Sequence, residues 1–245
     1  MAVAVFWAAL ATATLLVGMV LAYRDLVSLR WTALAMAFGA GAIISAVAYQ
    51  LVLPAALENV GREVPIAIGV AAGALTFYFA DRWVDGLGGE ERLDFDGGQA
   101  GGSGAGILLG SLLDGVPESL VLGLSVAHAP QVSIAFVIAV AISNVPQGLG
   151  GTAGMLAAGW PRPRITRLWL AVCALSIVAA AAGYAFGLLD PGSTGALSDS
   201  FAGALLVMLT DSMIPESFEH GGREAGLALV FGFGTALAIA ILQLR

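Results

Sequence analysis

The chain reads as long apolar runs divided by short polar stretches. A membrane-spanning helix needs about 20 mostly apolar residues, and eight stretches come close to that rule. They are Val3 to Ala22, Trp31 to Leu53, Pro65 to Ala80, Gly104 to Ala127, Val132 to Ala157, Leu168 to Leu189, Leu197 to Pro215 and Leu227 to Leu244. Their apolar residues are continuous and rich in Ala, Leu and Gly, whereas barrel strands alternate over about ten residues. The pattern predicts an all-α integral membrane fold, with eight transmembrane helices forming one polytopic domain over 1–245. Small residues inside the runs suit close helix packing in a bilayer. The first run has no Lys or Arg ahead of it and exceeds a signal-peptide core of roughly 7 to 15 residues, so it is read as a retained helix.

Composition agrees: 59% of residues are hydrophobic and 11% charged, with a mean hydropathy of +0.92, so lipid is the expected solvent. The formal charge is −7, and all ten basic residues are Arg, mostly placed between the apolar runs. That excludes nucleic acid as a partner. Cys173 is the single cysteine, so no intramolecular disulfide forms, and its simplest role is a small buried side chain. Loops after the first, third, fifth and seventh helices hold Arg24, Arg30, Arg82, Arg92, Arg162, Arg164, Arg167 and Arg223, against Arg62 and Arg245 on the other side. The bias predicts that the odd-numbered loops are cytoplasmic and both termini outside, in a multi-pass protein of the cell (plasma or inner) membrane. The third loop, Asp81 to Ser103, is Gly-rich and acidic. A flexible solvated linker is its simpler reading, and an ion-collecting segment the other.

Residues Pro54 to Glu63 match Pro215 to Glu224 at one constant offset, with Pro, Glu, Gly, Arg and Glu coinciding, and Gly73 then aligns with Gly234. The copies join the second helix to the third and the seventh to the eighth. Five crossings separate them, which puts them in opposite orientations: an inverted repeat, as many transporter folds carry. Between them, Asp114-Gly115-Val116-Pro117-Glu118-Ser119 in the fourth helix aligns with Ser143-Asn144-Val145-Pro146-Gln147-Gly148 in the fifth. The expected arrangement is three helices, a central pair, and three inverted helices.

Asp114 and Glu118, four apart, share one helix face near the middle of their run. An ionisable group at that depth costs at least about 2.5 to 3.5 kcal/mol, so the pair needs a partner, a proton or water. Pro117 and Pro146 each lack an N–H, which frees the carbonyls of Leu113 and Ile142 as further ligands for a hard cation. The short connection to the fifth helix leads to the expectation that Glu118 lies near Asn144 and Ser143, and Asp114 near Gln147. This cluster of carboxylates, amides and a hydroxyl suits hard or borderline divalent ions, and without His or Cys it does not make a tight zinc site. A protonated acid pair joining two kinked helices is the alternative. Asp211, Glu216, Glu219 and His220, toward the predicted cytoplasmic end of the seventh helix, form a candidate exit site, with interfacial solvation the competing role for Glu219 and His220. Glu58 and His128 fall at the outer edge.

The paired Pro-centred segments resemble those of the ZIP (Zrt/Irt-like protein) family of divalent metal transporters, which carries a His-Asn-x-Pro-Glu-Gly type motif in helix four and an x-x-x-Pro-Glu-Gly motif in helix five. The resemblance extends to eight helices, outside termini, a long cytoplasmic third loop and inverted triplets. It implies that Asp114, Glu118, Ser143 and Gln147 stand at first transport-site positions, and Gly115 and Asn144 at second-site positions. It further implies an inward-moving divalent cation such as zinc, iron or manganese as substrate, with no permanently bound cofactor. The implied partners are the bilayer, that cation and a second copy of the chain in a homodimer. The chain departs from the motif at Asp114, Gly115 and Gln147, and Leu168 to Leu189 lacks the family's bridging carboxylate, so one oxygen-rich site is expected instead of a two-metal centre. Two other readings remain open: proton-coupled transport of another solute, and an intramembrane aspartyl hydrolase pairing Asp114 with Asp211.

Overall fold

The computed structural model describes residues 1–58, 61, 63–88, 104–128, 133–189 and 194–243. The greater part of the third loop lies outside these residues, as do Arg62, Arg92, Arg245 and the side chains of Glu58 and His128. The molecule is all-helical: 92% is helix, with no strand among the described residues. Among the described residues, eight helices are long and apolar enough to span a membrane: α1 (Ala2–Tyr23), α2 (Leu29–Val52), α3 (Glu63–Asp85), α4 (Ala105–Ala127), α5 (Ile134–Ala157), α6 (Arg162–Leu189), α7 (Ser198–Gly221) and α8 (Glu224–Gln243).

Most helix ends fall near the edges of the apolar runs, with three exceptions, one of them the end of α7, which reaches Gly221 instead of Pro215. Helix α3 continues past Ala80 through Asp81 and Arg82 to Asp85, so the loop expected from Asp81 begins later. Asp81 itself is buried, 4% exposed. Helix α6 begins at Arg162, six residues ahead of Leu168, because Pro163 is tolerated in a first turn where N–H groups have no partner anyway. Hydropathy marks where lipid contact ends. The backbone ladder continues past that point, where the exposed Arg82, Arg162 and Arg164 can be satisfied by water.

Helices α2 and α7 are each interrupted by a π-helical segment, Val47–Val52 and Leu209–Met213. Both precede a proline. Pro54 and Pro215 cannot donate to the carbonyls four residues back, Gln50 and Asp211, and each of those lies inside a π segment, so the widened turn absorbs the missing bond. The chain then turns on glycines with positive φ, Gly61 (89°) and Gly222 (60°), and the next helices start at Glu63 and Glu224. Pro117 and Pro146 act differently: α4 and α5 stay α-helical through them.

Packing does not follow sequence neighbours. The closest partners are α1 with α5, α4 with α6, α2 with α8 and α3 with α7, while α2 also lies along α5 and α1 along α6. If each helix crosses the membrane in turn, all four closest pairs are parallel. Reciprocal glycines close every one of them. A Cβ on Gly18 would lie 2.1 Å from the Val145 oxygen, and one on Gly148 2.2 Å from that of Leu15. The same interlock joins Gly123 and Gly183, Gly41 and Gly232, and Gly73 and Gly203 to backbone of the partner helix. Such contact is the means by which helices associate in lipid, where apolar side chains gain nothing by leaving it. Burial then sorts the helices. In its most apolar stretch α5 is 72% buried, α2 67% and α4 61%, against 17% for both α3 and α8. Both Pro-bearing helices are therefore central, but they touch each other only slightly: α4 packs mainly on α6, and α5 on α1 and α2.

Candidate polar site inside the helix bundle

All five midplane residues singled out by the sequence are buried: Asp114 (3% exposed), Glu118 (1%), Ser143 (0%), Asn144 (2%) and Gln147 (5%). Glu118 is the key member. Its Oε1 is shielded from solvent and has no hydrogen-bond partner, and Asp114 stands one turn back on α4. Buried polar atoms are almost always satisfied, so an orphaned carboxylate oxygen in a central helix marks a place for a ligand or a proton.

Polar groups on α5 are held by neighbours on other helices. Asn144 donates through Nδ2 to the Ala11 carbonyl of α1 at 3.0 Å, and Gln147 through Nε2 to the Met213 sulfur of α7 at 3.3 Å. Ser143 donates to the Val140 carbonyl of its own helix at 2.9 Å and lies against Gly39 of α2, where a Cβ would come 2.7 Å from the Ser143 Cα. The donor ends of both amides are thus engaged, which leaves their carbonyl oxygens as the ends to present to a cation. Met213 belongs to the π segment of α7, so the central site and that widened turn are in direct contact.

Sequence reasoning missed Ser176. It is fully buried on α6, its Oγ has no partner, and a Cβ on Gly115 would lie 3.1 Å from that oxygen. Gly115 stands between Asp114 and Glu118 in sequence, so Ser176, on the helix that has no acid, lies against the turn of α4 that carries the acid pair. Its signal was available, a hydroxyl in an otherwise apolar run, but nothing in the sequence said that this face of α6 meets α4. Ser45 of α2 is likewise buried with an unpartnered hydroxyl.

Three of the four candidate exit residues come together. Ligand atoms of Glu216, Glu219 and His220 all lie within 4.8 Å of one another, and His220 Nδ1 is 3.3 Å from the Glu216 carboxylate. Asp211 is not in that group and is exposed within the π segment. Its setting is thus unlike that of buried Asp114, whereas two carboxyls sharing one proton need a common environment.

No protein-family model matches the chain, and no curated protein matches it at a significant level.

Proposed function

We propose that the chain is a membrane transporter resembling the ZIP permeases, moving a divalent cation such as zinc, iron or manganese inward through a site on α4 and α5. The observation that carries this reading is Glu118: a fully buried carboxylate, with an unpartnered oxygen, one turn from a second buried carboxylate inside a membrane-spanning helix. Asp114, Glu118, Ser143, Asn144 and Gln147 supply the oxygens, and Ser176 adds a hydroxyl from α6. Hard and borderline divalent ions accept this donor set.

Several features support an inverted-repeat arrangement around that site. If α1, α2 and α3 correspond to α6, α7 and α8, and α4 to α5, then the α1–α5 pair corresponds to α6–α4, and the α2–α8 pair to α7–α3; these are the four closest pairs. The π segments of α2 and α7, and Gly61 and Gly222, also fall at corresponding places. Transporters built this way alternate access by moving one set of helices against the other.

Apolar clusters border the site on both sides; on the predicted topology the inward one joins Leu15 and Met19 of α1, Ile107 of α4, Met155 of α5 and Trp169 of α6. A continuous apolar cluster joins Ile43 and Val47 of α2 and Leu205 and Met208 of α7 to Leu122 of α4 and Val140 of α5. On the predicted topology these residues lie outward of the acids. The group of Glu216, Glu219 and His220 lies toward the cytoplasm, where a released cation would meet it.

Uptake by proteoliposomes tests the reading. Glu118→Gln keeps the shape and removes the charge, and metal flux is expected to fall at least tenfold, with Asp114→Ala plus Glu118→Ala at background. Metal uptake equal to that of empty vesicles ends the proposal. Flux of another solute that follows a pH gradient without metal would replace it with proton-coupled transport, in which Glu118 carries the proton.

A further inference from the structure

Where α1 ends and α6 begins, four arginines gather around two aromatic rings: Arg24, Arg162, Arg164 and Arg167 with Tyr23 and Trp160. Residues 21–28 and 158–170 contain only one acid, Asp25, to set against them. All four arginines are exposed. Three are held in place by groups other than carboxylates. Arg162 donates from Nη2 to the Tyr23 carbonyl at 3.1 Å, with its guanidinium 5.1 Å from the Tyr23 ring centre. Tyr23 in turn donates its hydroxyl to the Arg162 carbonyl at 2.8 Å and lies 3.0 Å from the Thr166 hydroxyl. Arg164 stacks on Trp160 at 3.6 Å, and Arg167 donates from Nε to the Pro163 carbonyl at 3.2 Å. Arg30, elsewhere on the same end, is different: it pairs with Glu224 at 2.5 Å.

A guanidinium has five N–H donors. Stacking or a single carbonyl bond fixes its plane and leaves most of those donors free, and a fixed fork suits bidentate binding of phosphate. Tyr23, partly exposed at the end of α1, sits where aromatic residues meet the headgroups, while Trp160 is buried and gives Arg164 its stacking face. The phosphate at that depth belongs to the lipid itself.

We propose that this collar is a binding surface for the headgroups of anionic phospholipids. Helices α1 and α6 pack on α5 and α4, so a bound headgroup anchors the pair of helices that carries the polar site to one leaflet. The inference stands whether or not the chain transports a metal.

The test uses the purified full chain in detergent, titrated with phosphatidylglycerol or with phosphatidylcholine of the same acyl chains, bound lipid being counted by native mass spectrometry. Wild type is expected to retain phosphatidylglycerol about a hundredfold better. Changing Arg162, Arg164 and Arg167 together to Gln abolishes the preference, a loss on the order of a hundredfold in affinity, or about fivefold for each single change. Arg30→Gln leaves it intact, because Arg30 already has its acid. Single variants suffice should the triple variant fold poorly. Equal retention of the two lipids by wild type, or an undiminished preference in the arginine variants, would overturn the proposal. So would displacement of the lipid by millimolar inorganic phosphate, which would mark a simple anion site instead.

Discussion

Thr152 and Trp169 show how a single bond can be decisive in an apolar interior. The Trp169 indole donates to the Thr152 hydroxyl at 2.8 Å, and both side chains are buried, 2% and 0% exposed. Thr152→Val keeps the volume and removes the acceptor, leaving a buried N–H unsatisfied at a cost of about 1 to 3 kcal/mol. A lower melting temperature in detergent, with a shifted tryptophan emission, is the expected result; unchanged melting would show that the indole finds another partner. Glu118 presents the converse case. Its unpartnered oxygen is a cost that the fold tolerates, and the Glu118→Gln variant is therefore expected to be at least as stable as wild type while losing flux. Stability and uptake measured on the same preparation separate the two effects.

Helix pairs depend on contacts that cannot be read from the identity of a residue alone. The repeat aligns Gly73 with Gly234, yet only Gly73 is pressed against a neighbour: its Cβ would lie 1.7 Å from the Ser200 oxygen, whereas one on Gly234 would meet nothing within 4 Å. The glycine of α8 in close contact is Gly232, whose Cβ would lie 1.9 Å from the Phe38 oxygen. Gly232→Ala therefore forces α8 away from α2 and is expected to lower folded yield sharply, while Gly234→Ala is neutral or slightly stabilising through helix propensity. Size-exclusion profiles and thermal melts of the two variants check this, and equal behaviour would contradict the close approach. Alignment located the segment, but only the crossing geometry says which glycine touches backbone.

Considered as a whole, the molecule has a peripheral and a central part: α3 and α8 are mostly exposed, α4 and α5 mostly enclosed. Apolar clusters lie toward both ends of the bundle, so a side chain enclosed in one of them is shut off from solvent in this form. With the buried native thiol removed as Cys173→Ala, Ser212→Cys is expected to react with a polar thiol reagent applied on the side of the α7–α8 turn. Leu122→Cys, fully buried in the cluster, should resist reagent from either side. Labelling of Leu122→Cys at the rate of an exposed thiol would mean that the cluster does not exclude solvent.

The number of spanning helices and the placement of Asp114, Glu118, Pro117 and Pro146 within them were readable from the chain alone. Transfer from water to lipid is a local quantity, summed residue by residue over about 20 positions. The partners of those helices were not readable in the same way. Lipid offers no hydrophobic force to draw one helix to another, so association rests on shape, glycine contacts and a few hydrogen bonds between residues far apart in sequence. Hence Asn144 on Ala11, Gln147 on Met213 and Ser176 beside Gly115 emerged only once the helices were assembled. The π turns, too, needed the backbone: Pro54 and Pro215 announced a disturbance, but whether it became a kink, a break or a widened turn was decided by the packing around it.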